Sequence, residues 1–290
     1  MSYTRILALT SLTMIAFAGN SLLCRAALGH SHIDAASFTS IRLISGALVL
    51  WLIVQIRRGD HVGKGSWWSA VALFIYAAGF SYAYISLPAS TGALLLFGAV
   101  QATMIGYGIW AGERLRSIQL SGLILAFAGL IGLLLPGISA PPLLGSLLML
   151  GAGVAWGVYS LRGRGAGEPV AVTAGNFLRT VPIAIVLSAV TFKGISADTD
   201  GILYAVASGA VASGLGYAIW YTALPALKAT SAATVQLSVP VIAALGGVLL
   251  LGEHISLRLV LASIAILGGI ALVILEKRSA DGAQQLYAKG

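Results

Sequence analysis

The chain has 290 residues, 58% of them apolar and 9% charged, with a mean hydropathy of +0.95 and a net charge of +8. A soluble domain carries about 25% charged residues. This chain has too few to cover a soluble surface, which excludes a soluble enzyme, a disordered chain and a nucleic-acid-binding domain together. The single cysteine, Cys24, excludes an internal disulfide framework and a cysteine-based metal cluster.

Two stretches carry no Asp, Glu, Lys or Arg: 48 residues from Gly65 to Gly112 and 45 from Ser117 to Leu161. Each is about twice the roughly 20 residues that one helix needs to cross a bilayer. The stretches are continuous and rich in Leu, Ala and Gly, without the period-two alternation of a membrane barrel, so the crossings are helices. Breaks at charges, prolines and paired glycines predict an all-α membrane protein with ten transmembrane helices. In chain order these fall near 5–27, 35–56, 66–87, 90–111, 117–135, 143–162, 171–192, 200–224, 229–251 and 257–276. The polar tail after Lys277 is expected to lack fixed structure.

The first span resembles a secretory signal, with Arg5, an apolar run and Ala16-Phe17-Ala18. It stays apolar to Leu23 and has an internal counterpart near residue 150, so it is expected to be retained. With the N-terminus in the cytoplasm, twelve of the 17 basic residues fall on the cytoplasmic side: Arg5, Arg57, Arg58, Lys64, Arg114, Arg116, Arg162, Arg164, Lys228, Lys277, Arg278 and Lys289. The far side takes Arg25, Lys193 and Arg258, while Arg42 and Arg179 fall inside spans. This bias predicts cytoplasmic termini in a multi-pass protein of the cell membrane, the inner membrane if the cell is Gram-negative.

An internal repeat is visible. Gly112-Glu113-Arg114 recurs as Gly252-Glu253-His254 at an offset of 140, and Tyr84-Ile85-Ser86-Leu87-Pro88-Ala89 as Tyr221-Thr222-Ala223-Leu224-Pro225-Ala226 at 137. At that second offset Arg42 falls on Arg179, and Gly19 answers roughly to Gly157. The halves are expected at residues 1–137 and 138–278, with 279–290 as a cytoplasmic tail. Five spans per half is an odd number, so the second half is inverted in the membrane. Inverted repeats with a solute site between them are recurrent in secondary transporters.

The whole chain resembles the EamA branch of the drug/metabolite transporter superfamily. The resemblance rests on the ten-span layout, Gly19-Asn20-Ser21 followed by Arg25, Ser40-Ile41-Arg42, Leu-Pro-Ala at the fourth and ninth spans, and the paired Gly-Glu-basic turns. The family usually carries an aromatic just before the first-span glycine, where this chain has Ala18. The resemblance implies a carrier of small solutes, often an exporter of amino acids or other metabolites.

Polar groups within spans are costly and mark candidate sites. Gln101, Gln236, Asn20 and Asn176 offer both donors and acceptors, either to a solute or as helix–helix contacts. The candidate cavity set is Asn20, Tyr76, Tyr82, Gln101, Trp156, Tyr159, Tyr217 and Gln236, on spans 1, 3, 4, 6, 8 and 9. Trp156 and Tyr159 share one helical face, suited to stacking on a solute or to core packing. Arg42 and Arg179 lie about 10–12 Å along their spans and are expected to snorkel or to form gating pairs. Pro88, Pro225 and Pro240 are expected helix breaks, and Gly108…Gly112 and Gly153…Gly157 have the spacing of close helix packing.

No Asp or Glu falls within a span core, so a proton relay through a buried carboxylate is not expected. His30 and His32 with Asp34 read as loop residues rather than a metal site, and no phosphate-binding Gly-Lys-Ser/Thr motif is present. No enzyme activity and no cofactor are expected. The expected partners are a small-molecule solute and the lipid bilayer, a second copy of the chain being left open. The expected function is alternating-access export of a small metabolite, amino-acid-like or otherwise polar or aromatic. The alternative is export of a drug-like or lipid-like amphiphile.

Overall fold

The computed structural model describes residues 2–57, 64–112, 115–137, 140–163, 168–227 and 235–287, with side chains as far as 274. The described residues form ten long helices: α1 (Tyr3–His30), α2 (Ala35–Ile56), α3 (Trp67–Tyr84), α4 (Ala89–Trp110), α5 (Ser117–Leu134), α6 (Leu143–Arg162), α7 (Pro169–Val190), α8 (Thr199–Ala226), α9 (Ser238–Leu251) and α10 (Leu257–Tyr287). Eight are long and apolar enough to cross a membrane. The exceptions are α3, whose apolar residues are diluted by Ser, Tyr and Trp, and the 14-residue α9. The expected start of the ninth span near 229, like Glu113 and Arg114 of the first repeated turn, lies outside the described residues. One expectation is corrected: the tail after Lys277 continues α10 to Tyr287, through Ala and Gln residues that favour helix.

Helix starts follow local chemistry. Asp34 Oδ1 accepts hydrogen bonds from the Ala36 and Ser37 N–H groups at the head of α2, both at 2.9 Å. Ser66 Oγ does the same for Ser69 N at 3.1 Å, and Asp198 for Gly201 N at 3.1 Å. These side chains satisfy donors that a helix N-terminus otherwise leaves unpaired. Asp34 also accepts from Ser196 N at 3.0 Å, tying the α7–α8 connection to α2. The Asp34 carboxylate is thus occupied by backbone donors, not poised with His30 and His32. Hydroxyls within spans, such as Thr39 and Ser81, donate to the carbonyl four residues back and need no partner elsewhere.

The packing pattern maps onto itself when spans 1–5 are exchanged with spans 6–10. α3 packs on α6 as α8 packs on α1, α4 on α6 as α9 on α1, and α2 on α8 as α7 on α3. Three pairs join equivalent helices: α2 with α7, α4 with α9, and α5 with α10. An inverted duplication produces this pattern.

Glycines set the closest crossings. A Cβ on Gly209 of α8 would fall 2.1 Å from the Arg42 carbonyl oxygen and 2.1 Å from Ser45 Oγ. In α6, a Cβ on Gly153 would meet Leu96 O at 2.6 Å and one on Gly157 would meet Thr103 Cβ at 2.8 Å. The Gly153…Gly157 spacing therefore seats α6 on α4. Gly112 differs from its expected packing role. It has open space around its Cα and a φ of 94°, so it serves the turn after α4.

Midway along α8, Ala207–Leu215 is wound as a π-helix. Its i→i+5 bonding widens the turn, and such segments are rare and frequently lie at functional sites. Steps of four and then five residues bring Ser208, Ala212 and Tyr217 along one side of α8, facing the centre of the bundle.

Candidate solute-binding cavity

A small cavity lies between the two halves, enclosing about 20 Å³. Its walls come from α1 (Phe17, Asn20, Ser21), α3 (Tyr76, Phe80), α4 (Leu96, Phe97), α6 (Trp156) and α8 (Ala212, Tyr217). That volume holds about one water molecule, so this conformation is closed around its centre.

The aromatic wall is continuous. Trp156 is stacked between Tyr159 and Tyr217, with ring centroids at 5.3 and 5.2 Å and interplanar angles of 27° and 23°. Tyr76 approaches the same indole at 4.8 Å. Phe17 meets Tyr217 edge-on at 5.7 Å. Phe17 thus provides a ring one residue ahead of Ala18, which is fully buried.

The polar wall is a short hydrogen-bonded chain. Ser208 Oγ donates to Asn20 Oδ1 at 2.6 Å, and Asn20 Nδ2 donates to the Tyr76 hydroxyl oxygen at 3.3 Å. Arg42 Nη2 donates to the same oxygen at 3.0 Å. The Arg42 guanidinium carbon lies 5.2 Å from the Tyr76 ring centre and 4.9 Å from that of Phe80, geometry suited to cation–π attraction. At 2% exposure Arg42 is interior, which corrects the expectation that it snorkels. The close α2–α8 crossing and the Tyr76 hydroxyl hold it inward.

Arg179 instead folds back, with Nη1 donating to Gly175 O at 2.9 Å and to Lys64 O at 3.2 Å at the start of α3. The two repeat-related arginines therefore differ in role.

Contacts at the two ends of α3 flank the cavity. At one end Glu253, in the turn after α9, accepts from the backbone N–H groups of Ala89 at 2.6 Å and Ser90 at 3.4 Å. It thereby caps α4, whose N-cap residue Pro88 has no side chain that can do so. Arg25 Nε lies 3.8 Å from the same carboxylate, and Arg25 Nη1 donates to Tyr84 O and Ile85 O at 3.0 and 3.2 Å. At the other end Asn176 Nδ2 donates to the Tyr159 hydroxyl at 3.4 Å, and Asn176 Oδ1 accepts from Ser66 N at 2.9 Å.

Of the expected cavity residues, Asn20, Tyr76, Trp156 and Tyr217 line this space, and Tyr159 stacks directly behind it. Tyr82 does not. It points to the bundle end, beside Leu28, Asp34, Ile85 and Thr191, because α3 turns its face away from Tyr76 at that position. Gln101 is buried at 3% exposure one turn past Phe97 on α4, outside the lining. Gln236 is half-buried ahead of α9, also outside it. No residue of α9 contributes.

Pro88 and Pro225 stand at span ends, and the helical run breaks at Leu237, three residues ahead of Pro240. The Pro240 ring crowds the carbonyl four residues back.

Phe17, Ser21, Phe80, Ser208 and Glu253 were not singled out as site residues from the sequence. The Gly-Glu-basic repeat signalled Glu253 as a turn residue. Ser208 sits in a stretch of small residues with no distinguishing pattern.

A multi-pass helical bundle, duplicated about a closed aromatic and amide-lined centre, defines a membrane transporter. Comparisons with known proteins carry this further. The EamA-like transporter family model matches residues 143–275. The chain is 58% identical over 271 residues to uncharacterized protein PA1977 of Pseudomonas aeruginosa, covering 93% of this chain and 94% of that one. It is 33% identical over 160 residues to the threonine/homoserine exporter RhtA of Salmonella typhimurium, covering 52% of this chain and 53% of RhtA. A solved crystal structure covers 94% of this chain and 98% of its own at 20% identity, with a TM-score of 0.67, and shows the same fold. The chain belongs to the EamA-like transporter family, within the drug/metabolite transporter superfamily.

Proposed function

We propose that this chain is a secondary carrier that exports a small metabolite with a polar or aromatic body across the bacterial inner membrane by alternating access. The observation that carries this is the central cavity, built by helices of both halves and flanked at its two ends by different contacts. The Arg25–Glu253–α4 cluster closes the end that the basic residues place away from the cytoplasm. The Tyr159–Asn176–Ser66 contacts close the cytoplasmic end. Opening one set while the other holds exposes the centre to one side at a time, and Trp156 and Tyr217 then receive the solute body. Export is supported by the similarity to RhtA, a threonine/homoserine exporter.

The test is flux in vesicles reconstituted with the purified protein, using a panel of amino acids and organic acids. Saturable flux of at least one solute, reduced by Trp156→Ala, is expected. Absence of saturable flux across the panel overturns the reading. A second reading, export of an amphiphile, is favoured by one observation. An apolar cavity of about 230 Å³ lies between α4, α9 and α10, lined by Leu94, Val241, Leu259, Ile264 and Leu267. Amphiphile-specific flux selects that reading.

A further inference from the structure

Arg42 carries a positive charge into the centre of the bundle, seven residues past Ala35 and about 10 Å along α2. Its Nη1 is buried and has no hydrogen-bond partner within the protein. Glu253 pairs with Arg25, and no described carboxylate neutralises Arg42. The groups that face it are the Tyr76 and Tyr217 phenols and the Cys24 thiol, none of them a carboxylate. A charge at membrane depth without a counter-ion is costly, and such groups mark ligand or ion partners. The Tyr76 and Phe80 ring faces offset part of that cost but leave the Nη1 protons unbound.

The neighbouring groups present donors too. The Tyr76 oxygen already accepts from Asn20 and Arg42, so its own O–H proton is left to give. Ser208 fixes the Asn20 amide by donating to Oδ1, which leaves Nδ2 with a second N–H. Tyr76 and Asn20 line the cavity, and Arg42 packs directly behind Tyr76 and Phe80. Tyr76 and Asn20 thus present donors to the cavity beside Trp156 and Tyr217, with the Arg42 guanidinium directly behind Tyr76.

We propose that Arg42, Tyr76 and Asn20 form a carboxylate-binding site, and that the cargo bears a carboxylate on a body that packs against Trp156 and Tyr217. This rests on the carrier reading and names its substrate class. The cavity of about 20 Å³ cannot hold a carboxylate, so binding belongs to a widened state in which Arg42 Nη1 and the Tyr76 hydroxyl each reach one oxygen.

The test measures binding to the purified protein by intrinsic tryptophan fluorescence, and flux in vesicles separately. The probes are 2-hydroxybutanoate, L-threonine and L-threonine methyl ester, with 3-phenylpropanoate, L-phenylalanine and its methyl ester as a larger set. The acids are expected to bind at least about tenfold more tightly than the esters. Tyr76→Phe narrows that ratio by roughly tenfold or less, and Arg42→Met abolishes it, while Arg42→Lys restores part of it. A ratio between ligands does not move through loss of folded protein alone, and Tyr76→Phe carries the test if Arg42→Met does not fold. The hydroxy acid against the amino acid tells whether an ammonium group is also required.

Equal binding of acids and esters, an unchanged ratio in both Tyr76→Phe and Arg42→Met, or no binding of any acid overturns the site. Acid-selective binding without flux overturns the carrier reading and leaves the site. Flux without acid selectivity overturns the site and leaves the carrier.

Discussion

Replacing Glu253 by Gln tests whether the end closed by Arg25 and α4 is a gate. In the closed state the carboxylate accepts one short bond from Ala89 N at 2.6 Å and long ones from Ser90 N and Oγ at 3.4 and 3.5 Å, with Arg25 Nε at 3.8 Å. Hydrogen bonds to a charged group are worth about 1.5–3 kcal/mol and neutral ones about 1. The amide keeps an acceptor for Ala89 N but loses the charge and the ion pair. Closure should therefore weaken by about 1–2 kcal/mol, a factor of roughly 5–30 in the population open at that end. Cys24 provides the assay without engineering, being the single cysteine and fully buried one residue before Arg25. Labelling by N-ethylmaleimide through transient opening should accelerate by that factor in Glu253→Gln, and Arg25→Gln should act in the same direction. Unchanged labelling in a variant that melts at the wild-type temperature would refute the gate.

Gly209→Leu should lower thermal stability in detergent by about 1–3 kcal/mol or prevent folding, because the added atoms meet the Arg42 carbonyl, which is backbone and cannot swing aside. Gly151→Ala, with nothing within 4 Å of the added carbon, should change it by less than about 0.5 kcal/mol or stabilise the helix slightly. Trp156→Phe keeps an aromatic in the Tyr159–Tyr217 stack and should retain flux. Trp156→Ala should destabilise by about 3–5 kcal/mol and remove it. Gln101→Ala and Gln236→Ala should leave solute affinity unchanged in vesicle flux, since neither lines the cavity.

Partial burial raises the Asp34 pKa, but hydrogen bonds from Ser37, Ser196 and Ala36 outweigh it and hold the pKa below the usual 3.8. The stabilisation by Asp34 is accordingly present above that ordinary value and lost as pH falls through the lowered one. Melting followed from pH 7 to pH 3 should show an Asp34-dependent loss only at the acid end. Asp34→Ala should cost about 1 kcal/mol at neutral pH, typical of a lost N-cap.

Composition and charge placement alone determine that this chain is a helical membrane protein of about ten spans. Lipid leaves no unpaired backbone group tolerable, so apolar runs of this length must be helices. The paired Leu-Pro-Ala and Gly-Glu-basic turns determine the duplication, because an odd number of spans per copy forces inversion. Asn20, Tyr76, Trp156 and Tyr217, which line the central cavity, are legible as candidates because polar and aromatic groups at membrane depth are few.

Only the tertiary structure decided which polar groups meet. Gln101 and Gln236 satisfy the same sequence criterion as Asn20, yet Gln101 lies one turn beyond the lining on α4 and Gln236 lies ahead of α9. Tyr82 lies six residues from Tyr76 but points to the bundle end. Arg42 and Arg179 are equivalent in the repeat, and their neighbours separate them. Gly209 and the π-wound segment of α8 draw α2 inward and set Arg42 behind Tyr76, whereas Arg179 reaches the backbone of Lys64. Glu253 lies far in sequence from the α4 N-terminus it caps. Such long-range pairing depends on how helices rotate and cross, which the composition of each span leaves open. The scarcity of charge that excludes a soluble domain thus acquires a sharper meaning: one arginine lies at the centre with no described carboxylate beside it.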